Sequence, residues 1–337
     1  MGSDAPRGID VDPELRDALA RSAAIQAQLG AAPQDIAGLR AHMKAAAACW
    51  NEGGPSDDIT VTRTAVPGPL RDIPIVIYRP KTDEPLPAFI YLHGGGYRFG
   101  DEDSNSRQLR EIASIWGGAV VSADYAHLPE RTFPHAVIEI ASLIRHMASC
   151  PIGWNLDGSN IAFGGSSAGA NVALGAMVEV GGVSSGILKA GAIISPVIDR
   201  DFDSPSMVSY GRLPYFPSRN MAIETWAAYA PERDSSGDPR ADISLADLAI
   251  FPPLFIATPE VDVFRSGAEL LAKRLQEAGR SVQLVMYPGM THLFFGYSRM
   301  VSEARRCIGD VAAFLARHVP PRRNSDNSSR TSKETLT

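Results

Sequence analysis

The chain has 337 residues, 45% hydrophobic and 21% charged, with a formal net charge of −6. Those values exclude wholesale disorder and fibrous repeats, and an acidic chain without a basic run in its body is a poor partner for nucleic acid or anionic membranes. Three widely spaced cysteines, Cys49, Cys150 and Cys307, form neither a disulfide framework nor a zinc motif and fit a reducing compartment.

The first residues carry no apolar signal region, and no apolar run approaches the roughly 18 residues of a membrane span. A soluble, cytoplasmic protein is expected, which leaves the Asn327-Ser328-Ser329 sequon without a role. Residues 12–50 read as helical, starting from Asp12-Pro13-Glu14, with its cap, proline and first-turn acid. Ile59–Val66 and Ile73–Tyr78 read as two strands joined by Pro67-Gly68-Pro69. Six apolar runs follow, alternating with helical stretches: Ala88–Leu92, Ala119–Ala123, Ile161–Gly164, Ala190–Ile194, Leu254–Thr258 and Val282–Tyr287. The class is therefore α/β, an eight-stranded, mostly parallel sheet covered by helices on both faces. Residues 199–247 break the rhythm and read as an insertion above the sheet; residues 320–337, polar after Pro320-Pro321, read as a disordered tail.

In such sheets ligands bind beyond the carboxyl ends of the strands, so those turns carry the chemistry. Gly165-Ser166-Ser167-Ala168-Gly169 matches G-x-S-x-G between a strand and a helix, a turn that lifts a serine hydroxyl above the sheet. Gly182-Val183-Ser184-Ser185-Gly186 matches the same pattern but lies after a helix and before a strand, the wrong context. His93-Gly94-Gly95-Gly96-Tyr97 follows another strand. Glycines let backbone N–H groups approach a developing oxyanion, which nominates Gly95, Gly96 and Ala168 as donors, with His93 orienting the loop. A phosphate-binding loop is disfavoured, because there is neither G-x-G-x-x-G nor a Walker lysine. Asp262 follows the strand at Leu254–Thr258, and His292 follows the last strand. One helix and one strand separate them, so both fall on the edge that holds Ser167. The order Ser, acid, His makes His292 the general base and Asp262 its orienting acid, with Glu260 the rival. The remaining histidines, His42, His127, His135, His146 and His318, match no such strand end.

With these motifs in place, the chain resembles the hormone-sensitive-lipase-like esterases of the α/β-hydrolase superfamily from about Pro87 to Leu315. The resemblance rests on His93-Gly94-Gly95-Gly96, on Asp124-Tyr125 with Leu128-Pro129-Glu130 and Phe133-Pro134, on Gly165–Asn171, and on the Gly-x-x-His that ends at His292. Two departures bear on subgroup and substrate: Ser166 stands where the family often has an acid, and Asp262-Val263-Phe264 where it often has Asp-Pro-Leu. The resemblance implies an α/β-hydrolase fold with a helical cap, here residues 1–55 and the 199–247 insertion over a catalytic domain at 56–319. It also implies a serine carboxylesterase that needs neither metal nor organic cofactor. Its partner would be a small-molecule ester, short- to medium-chain or a specialised-metabolite ester or lactone, and homodimerisation is common among such proteins. An amidase or formamidase on the same triad, or a non-catalytic small-molecule-binding member, are the alternatives. Trp50, Tyr97, Phe99, Tyr210, Tyr215, Phe216 and Phe294 are the expected pocket residues, a wall suited to a hydrophobic acyl group. Trp226 and Tyr229 are expected in the core.

Overall fold

The structure is a computed structural model that describes residues 10–149, 153–231 and 235–322. Most of the expected tail, and Cys150, lie outside the described residues. Eight strands form one sheet: β1 (Ile59–Val66), β2 (Ile73–Pro80), β3 (Leu86–Leu92), β4 (Ala119–Ala123), β5 (Leu156–Ser166), β6 (Leu188–Ile194), β7 (Leu254–Val261) and β8 (Val282–Thr291). Their order is β1-β2-β4-β3-β5-β6-β7-β8. β1 pairs antiparallel with β2, and β2 with β4; every later pairing is parallel.

Side chains alternate across this sheet as strand geometry demands. On β3, Ala88, Ile90 and Leu92 enter one apolar core while Phe89 and Tyr91 enter the other. The first core is closed by α4 (His135–Ala148), α5 (Ala168–Glu179) and α8 (Arg265–Glu277). The second is closed by α3 (Ser106–Trp116) and α9 (Ser302–His318). Because the central strands are buried on both faces, they read as continuous apolar runs.

The N-terminal helical region is two helices, α1 (Pro13–Leu29) and α2 (Ile36–Asn51). Gly30, at φ 80°, and Pro33 interrupt it, and Asp35 starts the second helix by accepting the Gly38 N–H at 2.8 Å. The Asp12 carboxylate caps α1 through the Glu14 and Leu15 N–H groups, and the Asp12 N–H donates to the Gly289 carbonyl on β8. Val11, Leu15 and Ala18 then join the second core. The start of α1 is thus part of the folded body. Leu15→Ala is expected to cost about 2–5 kcal/mol, the usual range for a buried leucine, read as a shift in the urea midpoint. The 199–247 stretch contains α6 (Pro205–Tyr210) and α7 (Arg219–Tyr229). It is pinned to α5 by Asn171, whose amide donates to the carbonyls of Val197 and Ala241. No helix among the described residues is long and apolar enough to cross a membrane.

Candidate active site

The six strands β3 to β8 each deliver a polar residue at the first position beyond their carboxyl ends: His93 after β3, Asp124 after β4, Ser167 after β5, Ser195 after β6, Asp262 after β7 and His292 after β8. Ser167 occupies the tight turn into α5 with φ 53° and ψ −122°, a conformation that non-glycine residues rarely adopt. Its N–H is held by the Ile194 carbonyl at 2.9 Å. The turn closes only because its flanking residues lack side chains. A Cβ on Gly169 would come within 2.2 Å of the His93 carbonyl oxygen, so the serine turn and the glycine turn touch backbone to backbone. Gly95 has φ 133°, and a Cβ there would sit 2.0 Å from the Phe99 carbonyl oxygen.

Ser167 Oγ lies 2.7 Å from His292 Nε2, and His292 Nδ1 lies 2.8 Å from Asp262 Oδ2. Both His292 and Asp262 are buried. The other Asp262 oxygen accepts the Phe264 N–H at 3.0 Å, which fixes the carboxylate. Ser195 Oγ donates to the His292 carbonyl. Glu260 is turned elsewhere: its Oε2 accepts the Gly289 N–H at 2.8 Å and steadies the turn before His292. Ser166 points to Tyr91, whose hydroxyl sits between Ser166 Oγ at 3.0 Å and Asn105 Oδ1 at 3.2 Å. Burial pushes the Tyr91 phenol well above its ordinary pKa, so it stays protonated and can donate.

Around His93 the rings are closely packed. Tyr125 stacks on its ring at 4.7 Å between centroids and donates its hydroxyl to the His93 carbonyl. Burial, aided by neighbouring His93, pushes His127 down to about 4.

An apolar cavity of about 40 Å³ opens beside Ser167, bounded by Gly96, Tyr97, Val197, Phe202, Met221, Trp226 and Phe264 among others. Of the seven expected pocket residues, Tyr97 and Phe216 line it. Phe294 is instead fully buried against Tyr287, and Trp50 packs edge-on against Tyr297. Phe99, Tyr210 and Tyr215 do not line the cavity, Tyr210 and Tyr215 packing against the second core instead. Trp226, expected in the core, belongs to both core and cavity wall. Tyr229 is buried as expected, stacked on Tyr97 at 3.6 Å. Phe202, Met221 and Phe264 were not anticipated, although Phe264 stands two residues past Asp262 and its ring lies 5.4 Å from that of His292.

A family model described as alpha/beta hydrolase fold matches residues 89–296. The acetyl esterase of Salmonella agona (strain SL483) is 30% identical over 279 residues, spanning 81% of this chain and 84% of that protein. Among solved structures, an esterase from Pyrobaculum calidifontis superposes with a TM-score of 0.81 at 27% identity, over 90% of this chain and 98% of that one. An ester hydrolase from the metagenome of Lake Arreo gives 0.83 at 28% identity, over 91% and 99%. Fold and relatives together define a serine hydrolase of the α/β class. More narrowly, the chain belongs to the hormone-sensitive-lipase-like esterases and is a carboxylic ester hydrolase.

Proposed function

We propose that Ser167 is the nucleophile, His292 the general acid–base and Asp262 its orienting acid, acting on esters of short carboxylic acids. The hydrogen-bonded chain Ser167–His292–Asp262 is the observation that carries this reading. Ser167 Oγ attacks the ester carbonyl while its proton passes to His292 Nε2; Asp262 holds Nδ1–H and stabilises the imidazolium. The N–H groups of Gly95, Gly96 and Ala168 face the oxyanion, Ala168 from the N-terminal end of α5, where the helix dipole favours negative charge. His292 then protonates the leaving alcohol. Water, deprotonated by the same imidazole, attacks the acyl-enzyme and releases acid and free serine. None of these steps draws on a metal or organic cofactor.

The cavity bears on acyl length. At roughly 10–15 Å³ for each water-sized position, its volume of about 40 Å³ suits an acetyl to butyryl chain and not a fatty one. The acetyl esterase relative supports the same direction. In this reading α1, α2 and the 199–247 insertion form the cap, and the enzyme works in the cytoplasm; the free thiols of Cys49 and Cys307 support a reducing setting. With p-nitrophenyl esters of increasing length, kcat/KM is expected to peak at two to four acyl carbons and to fall by roughly tenfold or more by eight, each tenfold being about 1.4 kcal/mol of lost transition-state binding. Met221→Ala, at the partly exposed wall of the cavity, is expected to move the optimum to longer chains. A flat profile in both proteins would remove the assignment of this cavity as the acyl site.

A further inference from the structure

We propose that His93 Nε2, Asp124 Oδ1 and His127 Nε2 form a three-ligand site for a divalent transition metal, zinc being the best match, which braces the root of the glycine turn. The three atoms lie within 4.8 Å of one another, and each histidine nitrogen is 3.6 Å from Asp124 Oδ1. That is too long for a hydrogen bond. Among the described residues none of the three atoms has a hydrogen-bond partner, although all are buried. His93 itself is completely buried, and an unpaired polar atom there is costly.

The tautomer of His93 follows from its other nitrogen. Nδ1 lies 2.8 Å from the Gly94 carbonyl oxygen, which can only accept, so the proton sits on Nδ1. In the neutral ring Nε2 then presents a lone pair to a carboxylate oxygen, two acceptors face to face. A cation between them resolves the conflict. The charges allow one. Arg71 bonds both Asp124 Oδ2 and buried Glu139, so one guanidinium faces two carboxylates and a net negative charge remains beside the two rings. Bonds of about 2.0–2.2 Å to nitrogen and oxygen in tetrahedral geometry set ligand atoms roughly 3.3–3.6 Å apart, which matches the two histidine–aspartate separations of 3.6 Å; the two histidine nitrogens, within 4.8 Å of each other, draw together when the metal binds. Two histidines and one carboxylate also leave a coordination position for water.

The site lies behind the glycine turn and outside the Ser167–His292–Asp262 chain. It would join the end of β3 to the loop after β4, two segments already stitched by the bond from the Leu128 N–H to the Tyr97 carbonyl. The metal thus positions His93 and the turn it heads, and leaves the hydrolytic steps unchanged.

The test uses the full chain after chelation and dialysis. Zinc sulfate alone is expected to bind at one equivalent and to raise the melting temperature by several degrees. His127→Leu is expected to weaken binding by about a hundredfold or more, since even removing an outer partner of a ligand costs 10–100-fold, and to abolish the thermal shift. His146→Ala, outside the cluster, is expected to retain both. Crystals of the unaltered protein grown with zinc give a second readout that does not depend on any variant folding: an anomalous peak among the three side chains. No stoichiometric binding, binding unchanged in His127→Leu, or a cluster without anomalous density each overturns the proposal.

Discussion

Replacing Ser167 with alanine is expected to lower kcat on p-nitrophenyl acetate by on the order of a millionfold, the loss seen when a triad serine is removed, with the melting temperature almost unchanged. The small thermal effect follows from the site. Ser167 Oγ meets His292 Nε2, and alanine removes that one oxygen without opening a cavity in an apolar core. Its strained backbone belongs to the turn and is set by Gly165 and Gly169, so alanine inherits the same conformation. Ser184→Ala provides the internal comparison, because Ser184 sits in the same five-residue pattern. That serine is exposed in a short 3-10 turn, Gly182–Ser185, which follows α5 and precedes β6. It therefore lies at the amino ends of the strands, across the sheet from the triad. Full activity in Ser184→Ala beside none in Ser167→Ala is the expected pair. The reverse result would move the nucleophile to the other turn.

The same contrast explains what could be read in advance. The two G-x-S-x-G matches differ only in what flanks them, and strand–turn–helix against helix–turn–strand was enough to separate them. The sheet was legible because its central strands are buried on both faces and so carry unbroken apolar runs. That Ser167, Asp262 and His292 would meet was legible because an α/β sheet brings its strand ends to one edge. The cavity wall was not. Phe202, Met221 and Trp226 come from a segment whose path is set by single contacts, such as Asn171 holding the Val197 and Ala241 carbonyls, and no periodicity encodes those. Tyr215 and Phe216 are neighbours in sequence, yet Phe216 lines the cavity and Tyr215 does not. The cluster at His93 was within reach. Asp124 directly follows β4 by the rule that located the triad, and His127 stands three residues on, but a lone histidine in a loop carries no signal until its neighbours in space are known.

Asp262→Asn is expected to lower kcat by about ten-thousandfold, as loss of the carboxylate does in other serine hydrolases with the geometry kept, while Glu260→Gln stays within a few-fold of the unaltered enzyme. Both acids stand at the end of β7, and their hydrogen bonds separate them. Asp262 Oδ2 accepts from His292 Nδ1, which leaves Nε2 unprotonated and able to take the Ser167 proton. An asparagine amide can turn its NH2 group toward Nδ1. The ring proton then moves to Nε2, where it faces Ser167 and the base is lost. Glu260 instead accepts the Gly289 N–H, and glutamine keeps an oxygen that can do the same. Proton NMR supplies a readout independent of turnover. A strongly deshielded Nδ1–H resonance, produced by the 2.8 Å bond to a carboxylate, is expected in the unaltered protein and in Glu260→Gln and absent from Asp262→Asn. Equal losses of activity in the two variants would mean that both carboxylates act on His292, and the assignment of Asp262 alone would fall.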